Sequence, residues 1–156
     1  MTPFVVGLRA RDVTATAIDL PRRKAEDALP AFHLTVPRAA DVVIGGHSYG
    51  GRVASLAAAE PEAPYAALVC FSYPLHPPGR PDRTEARIAH WEAIRCPVLL
   101  LSGESDPFAR IDLLRTHVAR LDRAQLVTYP RLGHTLMPVL DDVLDRVATF
   151  IAGILA

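Results

Sequence analysis

The sequence holds almost nothing from which to build a cross-linked or metal-stapled fold. Cys70 and Cys96 are its only cysteines. One closes an apolar run and the other opens the next, so in consecutive parallel strands they stand near opposite ends of the sheet, out of disulfide reach. Two reduced thiols fit a cytoplasmic protein. Among the histidines, His33, His90 and His117 have no metal-ligand spacing to each other or to a cysteine; they read as surface or packing residues, and no metal is expected. An excess of either charge is also missing. The 17 acidic residues balance 17 basic ones, no run of like charge occurs, and neither nucleic acid nor an anionic membrane is an expected partner. No apolar run reaches the ~18 residues of a membrane span. The opening stretch MTPFVVGLRARD has no basic leader and its apolar run is cut by Arg9 and Arg11, so it does not read as a signal peptide. Repeats and low-complexity tracts are absent too.

What is present is core-forming sequence. Half of the 156 residues are apolar, enough for one hydrophobic core, and a single domain over 1–156 is expected. Five segments have strand length: Val13 to Asp19, Asp41 to Gly46, Tyr65 to Phe71, Pro97 to Gly103 and Ala124 to Tyr129. Most are continuous apolar runs without alternation, the pattern of strands buried on both faces of a parallel sheet. Between and after them lie stripes of helical spacing, Ile111, Leu114, Val118 and Leu121, then Leu140, Val143, Leu144, Val147, Ile151 and Ile154. Asp106-Pro107 and Asp141-Asp142 supply caps and favourable charge at the starts of these helices. The chain opens on a helix, Pro3 to Arg11, with no strand before it, and the proline-rich stretch from Ser72 to Asp82 predicts a loop. The expected fold is α/β, a three-layer sandwich with a mostly parallel sheet of about five strands.

The most informative stretch is DVVIGGHSYGGRVASLAAAE, Asp41 to Glu60. Here an apolar strand runs through Gly46-His47-Ser48-Tyr49-Gly50 into a helix, which is G-x-S-x-G in the context that gives the pattern meaning. Glycines either side of Ser48 let helix and strand approach, strain the serine and project its hydroxyl beyond the sheet. The same turn puts the Tyr49 N–H at the helix start, facing a developing oxyanion. The plainer reading is a glycine turn with serine as helix cap.

A serine hydroxyl needs a neutral imidazole to take its proton and a carboxylate to orient that imidazole. Asp106 and His134 each lie in a loop just after a strand, where loops converge above the sheet, and the order Ser, Asp, His suits this kind of fold. Asp106 also reads as a helix cap and His134 as an ordinary loop histidine. Glu104 is the nearest rival acid, ahead of Asp82 and Asp112. His47 is expected to pack under the elbow, because neighbours on so sharp a turn point apart. Tyr73, Leu75, His76, Leu132 and Met137 lie close enough in sequence to these loops to line a substrate pocket, or simply to pack.

In the stretches IGGHSYGGRVAS, FSYPLHPPGRPDRTE, and PVLLLSGESDPF with RLGHTLMP, the sequence resembles the α/β-hydrolase superfamily. It is most similar to a branch of small dienelactone-hydrolase-like proteins that includes a subunit of the nonspecific-lethal chromatin complex. The resemblance runs from Val42 to the carboxyl end, with VTATAIDLPR similar to the preceding family strand. It implies Ser48 as nucleophile, His134 as base, Asp106 as orienting acid and a minimal α/β-hydrolase fold lacking the first strands. Such hydrolases carry a glycine-rich loop before the first helix that donates a second oxyanion N–H, and this sequence has none there.

The expected activity is hydrolysis of a small ester, thioester or lactone through an acyl-enzyme, without a cofactor. A non-catalytic binding or scaffold protein on the same fold is the rival expectation. A strand left without its usual neighbour predicts an open sheet edge, which a second copy can cover, so a homodimer is expected.

Overall fold

Four apolar runs pair into one parallel sheet. In the computed structural model, which describes residues 1–156, β1 (Val43–His47), β2 (Ala67–Phe71), β3 (Val98–Gly103) and β4 (Ala124–Tyr129) lie side by side in chain order. Val43 pairs with Ala67, Leu68 with Val98 and Val98 with Ala124, so the carboxyl ends of all four strands rise together. When each strand is followed by its next neighbour in the same direction, right-handed crossovers put every connection on one face. That face carries α3 (Tyr49–Ala58), α4 (Thr84–Ile88) and α5 (Ile111–Val118), joined by α2 (Ala25–Thr35). The opposite face is covered by α1 (Thr2–Arg9) and α6 (Leu140–Leu155).

The period of two along each strand divides the core accordingly. Leu68, Cys70, Val98 and Leu100 face Val53, Ala57, Trp91 and Leu114 on one side. Val69, Phe71, Leu99 and Leu101 face Phe4, Leu8, Val143, Leu144 and Val147 on the other. Both faces of β2 and β3 are buried, which is why their sequences run apolar without alternation. Each large side chain taken out of water here contributes about 1.5–3 kcal/mol. Cys70 and Cys96 are free thiols, and burial pushes the Cys70 thiol well above its ordinary pKa. No helix is long and apolar enough to cross a membrane.

The fold departs from the sequence reading in four places. Val13 to Asp19 has no regular secondary structure, so the sheet has four strands, not five. Its main chain finds almost no partner: the Val13 N–H donates to Leu8, the Ala15 carbonyl accepts from Arg9, and no ladder forms. β1 pairs with β2 alone, and a cavity of about 580 Å3 is lined by both Val13–Thr16 and Val43–Gly45. A second departure lies in two helices that the sequence reading omits, the short α4 and α2. Pro30 inside α2 removes a helical hydrogen bond at a cost of about 3 kcal/mol, offset by burial of Ala25, Ala28 and Phe32. The third concerns caps. Arg110 and Val139 occupy the cap positions of α5 and α6, neither with a side-chain bond, while Asp141 and Asp142 supply only the favourable first-turn charge. Lastly, the glycine that admits the close packing of α3 on β1 is Gly51, not Gly50.

Candidate active site

The elbow is built by contact between two glycines. A Cβ on Gly46 would stand 2.6 Å from the Gly50 carbonyl carbon, and one on Gly51 would stand 2.7 Å from the Gly46 oxygen, whereas Gly50 meets nothing within 4 Å. Ser48, at the point of the turn, has φ 50 and ψ −114, outside every region that L-residues favour, and such a residue stores about 1–3 kcal/mol. The surrounding sheet holds it there. Its N–H donates to the Phe71 carbonyl at the end of β2, at 2.8 Å, and its carbonyl accepts from Arg52 in the first turn of α3.

The loops after β3 and β4 bring two further side chains to this point. His134 Nδ1 lies 2.8 Å from Asp106 Oδ2, and His134 Nε2 lies 2.8 Å from Ser48 Oγ. A carboxylate only accepts, so Nδ1 carries the proton and Nε2 is left to accept from the serine hydroxyl. The Asp106 side chain is fully buried, which makes its hydrogen bonds count for more than they would in water. Its other oxygen, Oδ1, accepts from the Phe108 N–H at 2.8 Å. That turn, and not a helix cap, is the local role of Asp106. The rival acids are engaged elsewhere: Glu104 with Arg115 and Thr128, Asp82 with Arg80, Asp112 with Arg110.

Around this chain of three sit groups of differing visibility in the sequence. His47, expected to pack under the elbow, lies against His134: the two ring centroids are 5.0 Å apart, and its Nε2–H donates to the His134 carbonyl at 3.0 Å. Burial lowers its pKa below the ordinary imidazole value, against the opposing effect of that hydrogen bond. Phe108, which the sequence reading overlooked, lays its ring against His134 with centroids 4.5 Å apart. The only signal for it was its place two residues after Asp106. The Tyr49 hydroxyl donates to the Pro21 carbonyl, tying the loop before α2 to the elbow, while the Tyr49 N–H donates to no acceptor in the protein. It is free to meet an oxyanion.

The residues named as pocket lining separate into two groups. Met137 is 46% exposed, at the start of a short 3-10 turn following His134. Tyr73 and Leu75 are instead core residues: Tyr73 meets Trp91 edge to face with centroids 5.1 Å apart, and its hydroxyl donates to the Arg87 carbonyl. His76 is equally buried, with both ring nitrogens bonded to main chain. These side chains of the proline-rich loop are therefore turned into the protein interior. Two cavities lie away from Ser48. One, of about 580 Å3, is bounded by α1, α6 and the open edge of β1; the other, of about 890 Å3, lies between β3, β4 and α6. Ser48, Asp106, His134 and Met137 line neither.

Comparisons with known proteins agree with this architecture. Residues 20–151 match the family model described as an alpha/beta hydrolase domain. No curated protein matches the chain significantly in sequence. Among solved structures, a puromycin hydrolase superposes with a TM-score of 0.60 at 18% identity, covering 83% of this chain but 23% of its own. A monoacylglycerol lipase of Paleococcus ferrophilus gives a TM-score of 0.79 at 15% identity, covering 97% of this chain and 88% of its own. A dienelactone hydrolase from Anabaena variabilis gives a TM-score of 0.54 at 26% identity, covering 72% of this chain and 49% of its own. At these identities the likeness is one of fold. The match of the family model, by contrast, runs from the loop before α2 almost to the end of α6, through the elbow and both loops that meet it: the chain belongs to the alpha/beta hydrolase domain family.

Proposed function

We propose that the protein is a serine hydrolase acting on a small ester, thioester or lactone. The observation that carries this reading is the unbroken hydrogen-bonded series Asp106, His134, Ser48, ending on a strained serine. In the proposed reaction Ser48 Oγ attacks the carbonyl carbon as its proton passes to His134 Nε2. Asp106 stabilises the imidazolium that forms, and the Tyr49 N–H meets the oxyanion. As the tetrahedral intermediate collapses, the bond to the leaving alkoxide or thiolate breaks and that group takes the proton from His134. Water, deprotonated by the same imidazole, then hydrolyses the acyl-enzyme and returns the serine. General base catalysis of this kind contributes about 10²–10⁴-fold. The steps need no cofactor. Met137 is the one exposed apolar side chain of the named lining residues and is proposed to touch the acyl group.

The test is labelling by a fluorophosphonate, which reports an activated serine without knowledge of the substrate. Modification of the native protein, lost in Ser48→Ala and His134→Ala, supports the reading; a folded native protein that resists labelling overturns it.

One observation favours a second reading, a binding or scaffold role: Ser48 lines neither the cavity of about 580 Å3 nor that of about 890 Å3. Membership of the small dienelactone-hydrolase-like branch, with its chromatin-complex relative, and a cytoplasmic location for its two free thiols, belong to the proposal as well. So does a homodimer along the unpaired edge of β1, and sedimentation showing only monomer at high concentration would remove it.

A further inference from the structure

The most conspicuous motif that the chemistry leaves unused is the proline-rich loop, and one residue of it reaches the acid. His76 is 3% exposed, and its N–H and both ring nitrogens are committed to main chain. Its ring Nδ1–H donates to the Pro77 carbonyl at 2.8 Å, and its Nε2 accepts from the Arg110 N–H at 3.0 Å. The two bonds require the neutral ring with its proton on Nδ1. Its own N–H donates to the Phe108 carbonyl at 3.0 Å. His76 therefore grips the segment Phe108–Arg110 at both ends.

That segment is the one that fixes the acid. The Phe108 N–H donates to Asp106 Oδ1, the Ala109 N–H donates to the Asp106 carbonyl, and the Phe108 ring packs against the imidazole of His134. Residue 108 is held by His76 through its carbonyl, holds Asp106 through its N–H and supports His134 through its ring. A change at His76 is thus transmitted to both residues behind Ser48 without touching either.

We propose that His76 is a positioning residue for the Asp106–His134 pair, acting by clamping the Phe108–Arg110 segment to the proline-rich loop. The proposal rests on the triad reading given above, which it deepens. Displacement of a catalytic group by about 1 Å costs on the order of 10²-fold in rate, so the clamp is expected to matter although it lies outside the reacting atoms.

Two readouts test it. One is the fluorophosphonate labelling rate; the other is the downfield proton resonance of the His134 Nδ1–H bonded to Asp106, assigned by its absence in His134→Gln. His76→Leu keeps the bulk and removes both ring bonds. It is expected to lower the labelling rate by about 10–100-fold and to shift or broaden the resonance. His76→Gln, whose Oε1 can accept from Arg110, is expected to recover most of the rate. A second variant reaches the same bond from the other side: Arg110 has φ −53, which proline accommodates, so Arg110→Pro deletes the N–H donor and leaves His76 in place. It is expected to behave like His76→Leu. Native-like labelling and an unmoved resonance in folded His76→Leu, or in Arg110→Pro where His76→Leu fails to fold, overturn the proposal. If the native protein resists labelling altogether, the triad reading fails, and the resonance alone still decides whether His76 positions the pair.

Discussion

Gly103 and Leu132 are packed main chain against main chain: a Cβ on Gly103 would stand 2.6 Å from the Leu132 carbonyl carbon. Gly103 ends the strand that leads to Asp106, and Leu132 lies in the loop that leads to His134. The close approach of these two backbones brings Asp106 and His134 within one hydrogen bond of each other.

Gly103→Ala is therefore expected to separate the two loops. Forcing a methyl into so tight a contact costs about 1–3 kcal/mol of stability. The larger effect falls on the site, with labelling of Ser48 reduced by about 10²-fold through the displaced His134. Gly50→Ala is the control, since a Cβ there meets nothing within 4 Å and the site is expected to survive it. Equal losses in the two variants would contradict the account.

This contact was invisible in the sequence, whereas the residues it brings together were not. Ser48, Asp106 and His134 were legible because each sits at a strand end, and strand ends of a parallel sheet converge whatever the loops between them do. Of the four paired strands, β2 and β3 were legible for a related reason, since burial on both faces leaves a continuous apolar run. Val13 to Asp19 has strand composition as well, but a strand is made by its neighbour, and composition does not report whether a neighbour is there. Tyr73, Leu75 and His76 fall in a loop after a strand, yet the direction in which a proline-rich loop folds its side chains depends on residues outside it, Arg87 and Trp91 for Tyr73 and Phe108 and Arg110 for His76.

Replacement of Asp106 by asparagine tests the orienting role. The amide fills the same space but presents the wrong donor and acceptor pattern to His134 Nδ1. The labelling rate is expected to fall by about 10³–10⁴-fold with the fold retained. A loss under tenfold would mean that Asp106 serves mainly its turn to Phe108.

The two groups of lining residues predict opposite behaviour. Tyr73→Ala is expected to cost about 3–5 kcal/mol of stability by emptying a core site, and Tyr73→Phe about 1 kcal/mol for one lost hydrogen bond, since the Arg87 carbonyl keeps Arg52 as a donor. In Tyr73→Phe the labelling rate is expected to stay within about twofold of native, since Ser48 and His134 are untouched. Met137→Ala is expected to leave stability within about 0.5 kcal/mol and to raise KM for an ester substrate. Denaturant melts and steady-state kinetics on the same proteins separate the cases.

Acid sensitivity has an identifiable source in His90. Burial, then the neighbouring Arg52, press its pKa down to about 4, and its Nε2 lies 2.8 Å from the Ser55 hydroxyl. Above about pH 6.5 both folded and unfolded rings are neutral. Below that the unfolded ring binds a proton and the folded one does not, so stability falls with pH until about 4, where the folded ring titrates too. The loss amounts to at most about 3 kcal/mol, and His47, shifted the same way by burial, adds to it. Denaturant midpoints measured between pH 7 and 4 are expected to decline less steeply in His90→Gln than in the native protein. Parallel profiles would show that His90 is not the source.

The account rests on an activated Ser48, and intact-mass measurement of fluorophosphonate labelling reads that directly. The expected result is a single adduct on the native protein, mapped by peptide digestion to Ser48, and none on His134→Ala. A native protein that is folded and remains unmodified, or one labelled equally well without His134, would contradict it.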